Sequence, residues 1–300
     1  MACFQPLLAV DFGFDKESQK HKIKILPQRV DYNLQVLRDR YGSSLMMLPC
    51  GHCVACAQEY ARTWQGRIMA ESLYHQKSCF LTLTYKYERK PNKDDLRKFI
   101  HNLRNKFGNG IKFFACGELG SENMRFHCHA IIFGVDFSED RYIISKRGLN
   151  YIYRSPLLES LWEHGYSSIG SLDMESAGYV SKYCDKKKIS RLDEGEFVIM
   201  SRGLGKRYFL DHSEEIFSSD YIYFNGNKFK IPRYFLTLAA KASFLVQVVA
   251  DDYKARRREV ACSFRYDQNR SFSVEELAMK ENESVVLSKY KKEESFRDVI

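Results

Sequence analysis

The sequence has no apolar run that approaches the length needed to span a bilayer, and it has no internal repeat or low-complexity segment. Its first residues lack the basic region that opens a signal peptide, and Asp11 interrupts their apolar run. The nine cysteines are odd in number and irregularly spaced, so they make a poor disulfide framework. These absences argue against a membrane or secreted protein and predict one that works in a reducing cytoplasm.

Length and composition predict a globular protein. The 300 residues allow one large domain or two small ones, and a hydrophobic content of 44% is enough for a core. The formal net charge of +9 fits a partner rich in phosphate, although an excess of this size is also common in proteins that bind no nucleic acid.

The stretch at residues 116–134, CGELGSENMRFHCHAIIFG, carries most of the chemistry that the sequence offers. Its second half is an apolar run closed by Gly134, which is typical of a buried or half-buried strand. In a strand, His127 and His129 share one face and stand about 7 Å apart at their bases. The opposite face, which we expect to pack under helices, carries Phe126, Cys128, Ala130 and Ile132. The two imidazoles could converge on one cation, or they could be ordinary polar residues on an open sheet face.

A second short apolar run, at residues 111–118, precedes the histidines and ends in Glu118. The residues between the two runs include Gly120, Ser121 and Asn123, which are enough for a hairpin turn. The antiparallel pairing would bring Glu118 beside the imidazoles as an oxygen ligand. Two imidazoles and one carboxylate, with coordination positions left open, suit Mg²⁺, Mn²⁺ or another divalent ion that acts as a Lewis acid.

A helix predicted over residues 175–188 carries Tyr179 and Tyr183 at i and i+4. At this spacing the two rings lie on one helix face, about one turn apart. Two aromatic residues at this spacing are usually core residues. However, Lys182 and Lys186 each follow one of the tyrosines at the same offset of three, and the chain also carries the histidine strand. Together these features favour a catalytic pair of tyrosines and lysines.

Cys50, Cys53 and Cys56 form a C-x₂-C-x₂-C pattern with His52 inside it. Soft thiolates at this spacing suit Zn²⁺, and the site would be structural. A closed tetrahedral site needs a fourth ligand, which could come from any of four side chains: His52, Cys3, His75 or Cys79. The alternative is three reduced thiols that line the turn into the next helix.

Three pairs of residues are weaker candidates for contact with DNA. One pair lies in a predicted strand, where β propensity explains threonine equally well. The second belongs to a basic cluster that is also typical of a solvated helix end. The third lies in a glycine-containing loop whose backbone could approach a phosphate. These pairs are Thr82 and Thr84, Lys187 and Lys188, and Arg202 and Lys206.

Hydrophobic periodicity predicts an α+β chain in which a strand, a helix and two further strands follow in order. The predicted helices are 57–76, 94–107 (ended by Gly108), 156–165, 175–188 and 233–262, and the predicted strands are 80–85, 111–118, the histidine run and 166–169. A capping box at 273–276 predicts a last, charged helix. We assign no element to residues 1–45. The predicted domains are a leader with the Cys-rich segment (1–56), a catalytic domain (57–215) and a helical C-terminal extension (216–300).

Several motifs resemble those of the HUH endonuclease superfamily, the rolling-circle replication initiators. HCH at 127–129 is similar to its His-hydrophobic-His motif, FLTLTY at 80–85 to its first motif, and YVSKYCDK at 179–186 to the third motif, which carries the nucleophile. The doubled tyrosine resembles the gene A-type initiators of small single-stranded DNA phages, the Microviridae. PCGHCVAC at 49–56 and SRGLGKRYF at 201–209 resemble more narrowly the gokushovirus branch. The resemblance covers roughly residues 45–235.

The resemblance implies a central antiparallel sheet with helices packed on it, the RRM-like palm of an HUH endonuclease domain. It implies a metal-dependent nickase and strand transferase in which Tyr179 or Tyr183 forms a 5′-phosphotyrosine and frees a 3′-hydroxyl. The substrate would be single-stranded DNA at a replication origin. The partners would be the host replicative helicase and DNA polymerase, and the place of action would be the host bacterial cytoplasm.

Other functions compete with this interpretation. A single-strand transposase or plasmid relaxase would use related chemistry, typically with its own motif order and often with one tyrosine. A catalytically silent protein that binds single-stranded nucleic acid would share the charge and the fold. A Cys-rich structural zinc module is a third alternative. The intact tyrosine pair favours the nickase.

Overall fold

The computed structural model of the chain describes residues 3–18, 20–27, 34–87, 90–119, 126–148, 150–184 and 196–262. These residues contain twelve β-strands and eight α-helices. The strands are β1 (Leu7–Asp15), β2 (Lys20–Ile25), β3 (Leu45–Leu48), β4 (Ser78–Tyr85), β5 (Lys112–Leu119), β6 (Phe126–Phe133), β7 (Tyr142–Arg147), β8 (Asn150–Arg154), β9 (Gly165–Gly170), β10 (Phe197–Met200), β11 (Tyr221–Phe224) and β12 (Asn227–Lys230). The helices are α1 (Leu34–Tyr41), α2 (Val54–Ser72), α3 (Lys93–Phe107), α4 (Pro156–Leu161), α5 (Met174–Ser181), α6 (Lys206–Ser218), α7 (Arg233–Ala239) and α8 (Phe244–Cys262).

The described chain divides into two compact units. The terminal unit combines the residues up to 57 with those from 239 onward, and the central unit comprises residues 58–238. The domain boundaries expected from the sequence, after residues 56 and 215, stay a prediction. Among the described residues, no helix is both long and apolar enough to cross a membrane.

A seven-stranded sheet forms the central unit, with the strand order β10-β5-β6-β4-β9-β8-β7. Every neighbouring pair in it is antiparallel. The expected α+β fold, with helices on a central antiparallel sheet, is therefore confirmed. Strand β4 illustrates how the sequence builds it, since its side chains alternate along SCFLTLTY between fully and partly buried positions.

One face of this sheet packs against α3 and α4 in the larger core of the unit. Strand β6 contributes Cys128, Ala130 and Ile132 to this core, as expected from the alternation of its sequence. Helix α3 begins after Asn92, whose side chain accepts a hydrogen bond from the Asp94 backbone N–H, and it ends at Gly108. Its apolar stripe consists of Leu96, Phe99, Ile100 and Leu103, all buried.

The other face carries both histidines, and it is also covered over much of its area. Ile131 and Phe133 of β6 pack there with Ile68 of α2 and with Ala177 and Val180 of α5. The histidines therefore lie at the end of an apolar layer, and the alternative of an open polar sheet face is wrong.

The terminal unit contains a small antiparallel sheet in which β1 lies between β2 and β3. Its core includes Val10, Leu37 and Leu45. Local pattern predicts no element here, because β2 (KHKIKI) is exposed along most of its length and lacks a one-sided apolar pattern.

Three predicted helices differ from the structure in their bounds. The first helix, α2, begins at Val54, three residues earlier than expected, and α4 ends at Leu161 because Trp162 leaves the helical conformation. The long helix predicted over 233–262 is two helices, α7 and α8, separated by a turn that the Ala242 N–H closes on the Ala239 carbonyl at 3.0 Å. The predicted extension also contains the β11–β12 hairpin, so it is helical only in part. The capping box at 273–276 lies outside the described residues.

Gly165 tests how closely β9 and β4 approach one another. A Cβ atom at this position would overlap the Thr84 carbonyl oxygen and the Lys86 backbone nitrogen, neither of which can move without disturbing the sheet. We expect Gly165→Ala to lower the free energy of unfolding by about 1–3 kcal/mol, measured by denaturant titration. Gly110→Ala is the matched control, because a Cβ there meets nothing within 4 Å. Equal stability of the two variants would contradict the observed strand contact.

Candidate active site

Three potential metal ligands converge at the end of β5 and β6. Glu118 of β5 pairs directly with His127 of β6, and Cys116 pairs with His129, so the antiparallel register places both histidines on the carboxylate's face. His127 Nε2 lies 2.8 Å and His129 Nε2 lies 3.7 Å from Glu118 Oε1. One ligand atom from each of the three residues lies within 4.8 Å of the others. The convergence expected from the sequence is therefore present.

Tyr179 completes this cluster from the opposite side. Its hydroxyl donates a hydrogen bond to Glu118 Oε1 at 3.0 Å and lies 3.4 Å from His129 Nε2. Helix α5 holds the tyrosine there through a capping box, in which Asp173 and Ser176 bond each other's backbone N–H groups.

The packing of α2 against α5 also fixes the position of Tyr179. Gln65 of α2 donates a hydrogen bond to the Met174 carbonyl at 2.8 Å. Gly178 permits this close approach, because a Cβ atom there would come within 2.8 Å of the Gln65 amide nitrogen. The residue that precedes the tyrosine thus has to be small.

Strand β4 orients the buried imidazole of His129. The Thr82 hydroxyl lies 3.2 Å from His129 Nδ1, which leaves Nε2 for the cluster. The Phe80 ring stacks on the imidazole with centroids 5.2 Å apart. Sequence reasoning missed both contacts, although the alternation of β4 puts Phe80, Thr82 and Thr84 on one face.

Burial and the short contacts shift two pKa values in opposite directions from what each group would do alone. Burial raises the pKa of Glu118, but hydrogen bonds with His127 and His129 outweigh it and hold that pKa well below its ordinary value. Burial lowers the pKa of His129, although Glu118 opposes the shift. The site therefore favours a charged carboxylate beside a neutral imidazole, which is the protonation state that binds a cation.

The other predicted catalytic residues occupy different surroundings. Tyr183 is only 8% exposed and belongs to the apolar layer under α5, with its ring centroid 6.2 Å from that of Tyr179. Lys182 is half-buried and directly follows the last residue of α5. Lys186, Lys187 and Lys188 lie outside the described residues.

The loop that carries Arg202 and Lys206 is fastened to α2 by two buried charged residues. Glu71 accepts a hydrogen bond from the Gly205 backbone N–H at 2.7 Å, and Arg67 donates one to the Leu204 carbonyl at 3.1 Å. Arg202 and Lys206 themselves are exposed. Their contact with DNA stays a prediction.

The cysteine cluster lies in the terminal unit and contains four thiols. One sulfur each from Cys3, Cys50, Cys53 and Cys56 lies within 4.8 Å of the others. The Cys50 and Cys53 backbone N–H groups donate to the sulfurs of Cys3 and Cys50 at 3.2 and 3.3 Å.

The remaining candidates for the fourth ligand lie apart from these thiols. His52 is exposed, and its Nδ1 lies 3.0 Å from the Cys50 carbonyl oxygen, outside the four-thiol group. His75 contacts Glu71 at 2.9 Å, and Cys79 is buried in the core beneath β4. Of the four candidates considered for the fourth ligand, the structure thus brings Cys3 to the cluster.

Comparison with known proteins places the chain in a family. Residues 78–188 match the family described as replication-associated protein ORF2. The chain is 30% identical over 262 residues to replication-associated protein ORF2 of Spiroplasma virus 4, an alignment that covers 78% of this chain and 79% of that protein. It is 29% identical to replication-associated protein ORF4 of Chlamydia phage 1, covering 65% of this chain and 54% of the relative. It is also 29% identical to replication-associated protein VP4 of Bdellovibrio phage phiMH2K, covering 62% and 65%. No solved structure matches the chain.

An antiparallel sheet that presents two histidines and a carboxylate to a helix-borne tyrosine defines a class of site suited to chemistry on a phosphate. The chain belongs to the family of phage replication-associated proteins. The resemblance to gokushovirus-like replication initiators is thereby confirmed.

Glu71 allows a test of how the basic loop is held. Burial raises the pKa of this carboxyl, but hydrogen bonds from Lys112, His75 and the Gly205 N–H outweigh burial and lower it. Because the folded-state pKa is depressed, its stabilisation is present above the unfolded value of about 4.3 and is lost as the pH falls further. We expect Glu71→Gln to cost about 1–3 kcal/mol at neutral pH, with the difference from the wild type shrinking below about pH 4. Urea titrations at several pH values measure this, and a difference that grows on acidification would contradict it.

Proposed function

We propose that this protein is a site-specific single-strand DNA endonuclease and strand transferase that initiates rolling-circle replication of a small phage genome. The observation that carries the proposal is the position of the Tyr179 hydroxyl, 3.0 Å from Glu118 and 3.4 Å from His129. A phenol held against a cluster of potential metal ligands is the arrangement that nucleophilic attack on a phosphodiester requires.

The donor set fits a divalent metal ion such as Mg²⁺ or Mn²⁺. Glu118 Oε2 is buried and has no hydrogen-bond partner among the described residues, although buried carboxylate oxygens are normally paired. A cation held by Glu118, His127 and His129 would satisfy this oxygen. When bound, it would withdraw charge from a non-bridging oxygen of the scissile phosphate.

Tyr179 is the residue best placed to attack first. Its oxygen would form a bond to phosphorus while the bond from phosphorus to the 3′-oxygen breaks. The products would be a 5′-phosphotyrosine and a 3′-hydroxyl that takes up a proton from solvent and primes synthesis. Glu118 accepts the phenol's hydrogen bond and is the group nearest to receive its proton. Lys182, and Lys186 beyond the described residues, would stabilise charge on the phosphate.

The covalent link preserves the energy of the phosphodiester, so a later attack by the 3′-hydroxyl reseals the strand without ATP. Tyr183 would serve in the second cleavage, while Tyr179 holds the DNA end. This division of labour is the part of the proposal that the resemblance to two-tyrosine initiators supplies.

The substrate would be single-stranded or extruded DNA at the replication origin, because the phosphate must reach the metal ligands and the phenol together. The host replicative helicase and DNA polymerase would follow the nick, and the protein would act in the cytoplasm of the bacterial host. Thr84, Arg202 and Lys206, together with Lys187 and Lys188, remain the predicted contacts to this strand.

We further propose that the cysteine cluster binds one structural Zn²⁺. Four thiolates suit zinc in a closed tetrahedral site, and the backbone N–H groups that point at the Cys3 and Cys50 sulfurs would support charged thiolates. The ion would fasten the start of the chain to the segment that leads into α2.

Covalent capture of DNA tests the tyrosine assignment. We expect Tyr179→Phe to reduce formation of the initial protein–DNA adduct by at least about a hundredfold, because the remaining phenol is buried. Tyr183→Phe should form this adduct but fail in strand transfer, and the double variant should form none. The measurement is a denaturing gel with a labelled origin oligonucleotide and Mn²⁺.

Two outcomes would overturn the enzymatic proposal. An adduct formed by the double variant would remove the tyrosines from the mechanism. Tight binding of the oligonucleotide without any adduct, in wild-type protein and with either metal, would favour the catalytically silent binding protein.

The zinc proposal is tested by a matched pair of variants at the cluster. We expect Cys3→Ala to lose about one equivalent of bound zinc and to lower the melting temperature, whereas His52→Ala retains both. Elemental analysis of purified protein and thermal unfolding with and without a chelator measure these effects. Zinc retained by Cys3→Ala but lost by His52→Ala would reverse the choice of the fourth ligand.

A further inference from the structure

One row of side chains crosses the sheet from the candidate active site to β9. Glu118 pairs with His127, His127 pairs with Thr84, and Thr84 pairs with Tyr166. Directly paired residues of neighbouring strands lie on the same face, so all four side chains share one side of the sheet. With neighbouring strands about 4.8 Å apart, the backbone of Tyr166 lies roughly 10 Å from that of His127.

Exposure increases along this row. Glu118 is 6% exposed, His127 and Thr84 are half-buried, and Tyr166 is 49% exposed. The apolar layer under α2 and α5 therefore does not cover the β9 end of the row. A phosphate held at the histidines would have its neighbouring nucleotides close to an accessible aromatic ring, about two or three bases away at roughly 3.4 Å per stacked base.

A cation and a second exposed aromatic residue lie beside this ring in the sheet. The Lys86 backbone N–H bonds the His164 carbonyl at 2.9 Å, which extends the β4–β9 pairing past Gly165. Lys86 is exposed, and Tyr87 after it is 74% exposed. Exposed aromatic rings interleaved with cations are the features by which proteins hold single strands, through stacking on bases and attraction of phosphates.

We propose that Tyr166 is a stacking platform for a base of the substrate strand next to the scissile phosphate, with Lys86 as its phosphate contact. The proposed nicking activity supplies the place of the phosphate, so this inference rests on that function and deepens it. The occupant is single-stranded DNA, because the surface is continuous with the candidate active site and carries positive charge. Stacking on an aromatic face is tolerant of base identity, so this contact would hold the strand without reading its sequence.

The affinity for single-stranded DNA tests this proposal without cleavage. The probe is a short fluorescent oligothymidylate, and all variants are built in a Tyr179→Phe background and measured by fluorescence anisotropy. We expect Tyr166→Ala to raise Kd about fivefold to a hundredfold and Tyr166→Phe to leave it nearly unchanged, since a phenyl ring also stacks. The matched control is Tyr223→Ala, which removes a tyrosine of similar exposure (54%) from β11. Thermal unfolding confirms that each variant is folded.

A fluorescence signal separates stacking from a general effect on the fold. Tyr166→Trp should show quenching of the new tryptophan when the oligothymidylate binds, whereas Tyr223→Trp should not. Unchanged Kd for Tyr166→Ala, or equal quenching at both positions, would overturn the platform. If Tyr166→Ala weakens binding but the protein with both tyrosines never forms an adduct, the nickase fails and the binding surface stands. If adduct formation is normal and Tyr166→Ala binds as tightly as the control, the surface fails and the nickase stands.

Discussion

A single buried oxygen, Glu118 Oε1, connects the parts of the candidate active site. It is 2.8 Å from His127, 3.0 Å from the Tyr179 hydroxyl and 3.7 Å from His129, so one atom joins two strands and a helix. Burying a charged carboxylate is costly unless it is paired. Here one oxygen makes three contacts while the other has no hydrogen-bond partner among the described residues. An imbalance of this kind is typical of functional sites, where local stability is given up for chemistry.

The register of β6 decides whether this cluster can exist. Side chains alternate between the two faces, so a slip by one residue would turn both histidines into the core under α3 and expose Cys128. The same strand prevents that slip, because Ile131 and Phe133 pack under α2 and α5 while Ala130 and Ile132 fill the opposite core. The apolar half of β6 thus fixes the position of its polar half, and the chemistry depends on packing several residues away.

The parts of this arrangement that the sequence predicts are those set by local pattern. The alternation around HCH places the histidines on one face, and the short turn region between two apolar runs brings Glu118 beside them. The contacts of His129 with Thr82 and Phe80 depend on which strand becomes the neighbour of β6, and a local pattern does not contain that information. Cys3 is comparable, since 47 residues separate it from Cys50 and only the folded terminal unit brings the two thiols together. The strands of that unit were missed because β2 is exposed along most of its length.

The two tyrosines are unequal in this fold, although the spacing in the sequence makes them look equivalent. Tyr179 lies within α5 and points its hydroxyl at the cluster, whereas Tyr183 follows the end of that helix and is buried with Val180 and Cys184. At the helix end the Lys182 backbone N–H is shared among three carbonyl groups, an arrangement common where helices begin to unwind. Because a buried phenol cannot reach a phosphate at the histidines without moving, alternation between the tyrosines requires a rearrangement of the segment after Ser181. The proposed order, with Tyr179 first, therefore follows from which phenol already lies against the metal ligands and which one the apolar layer holds away from them.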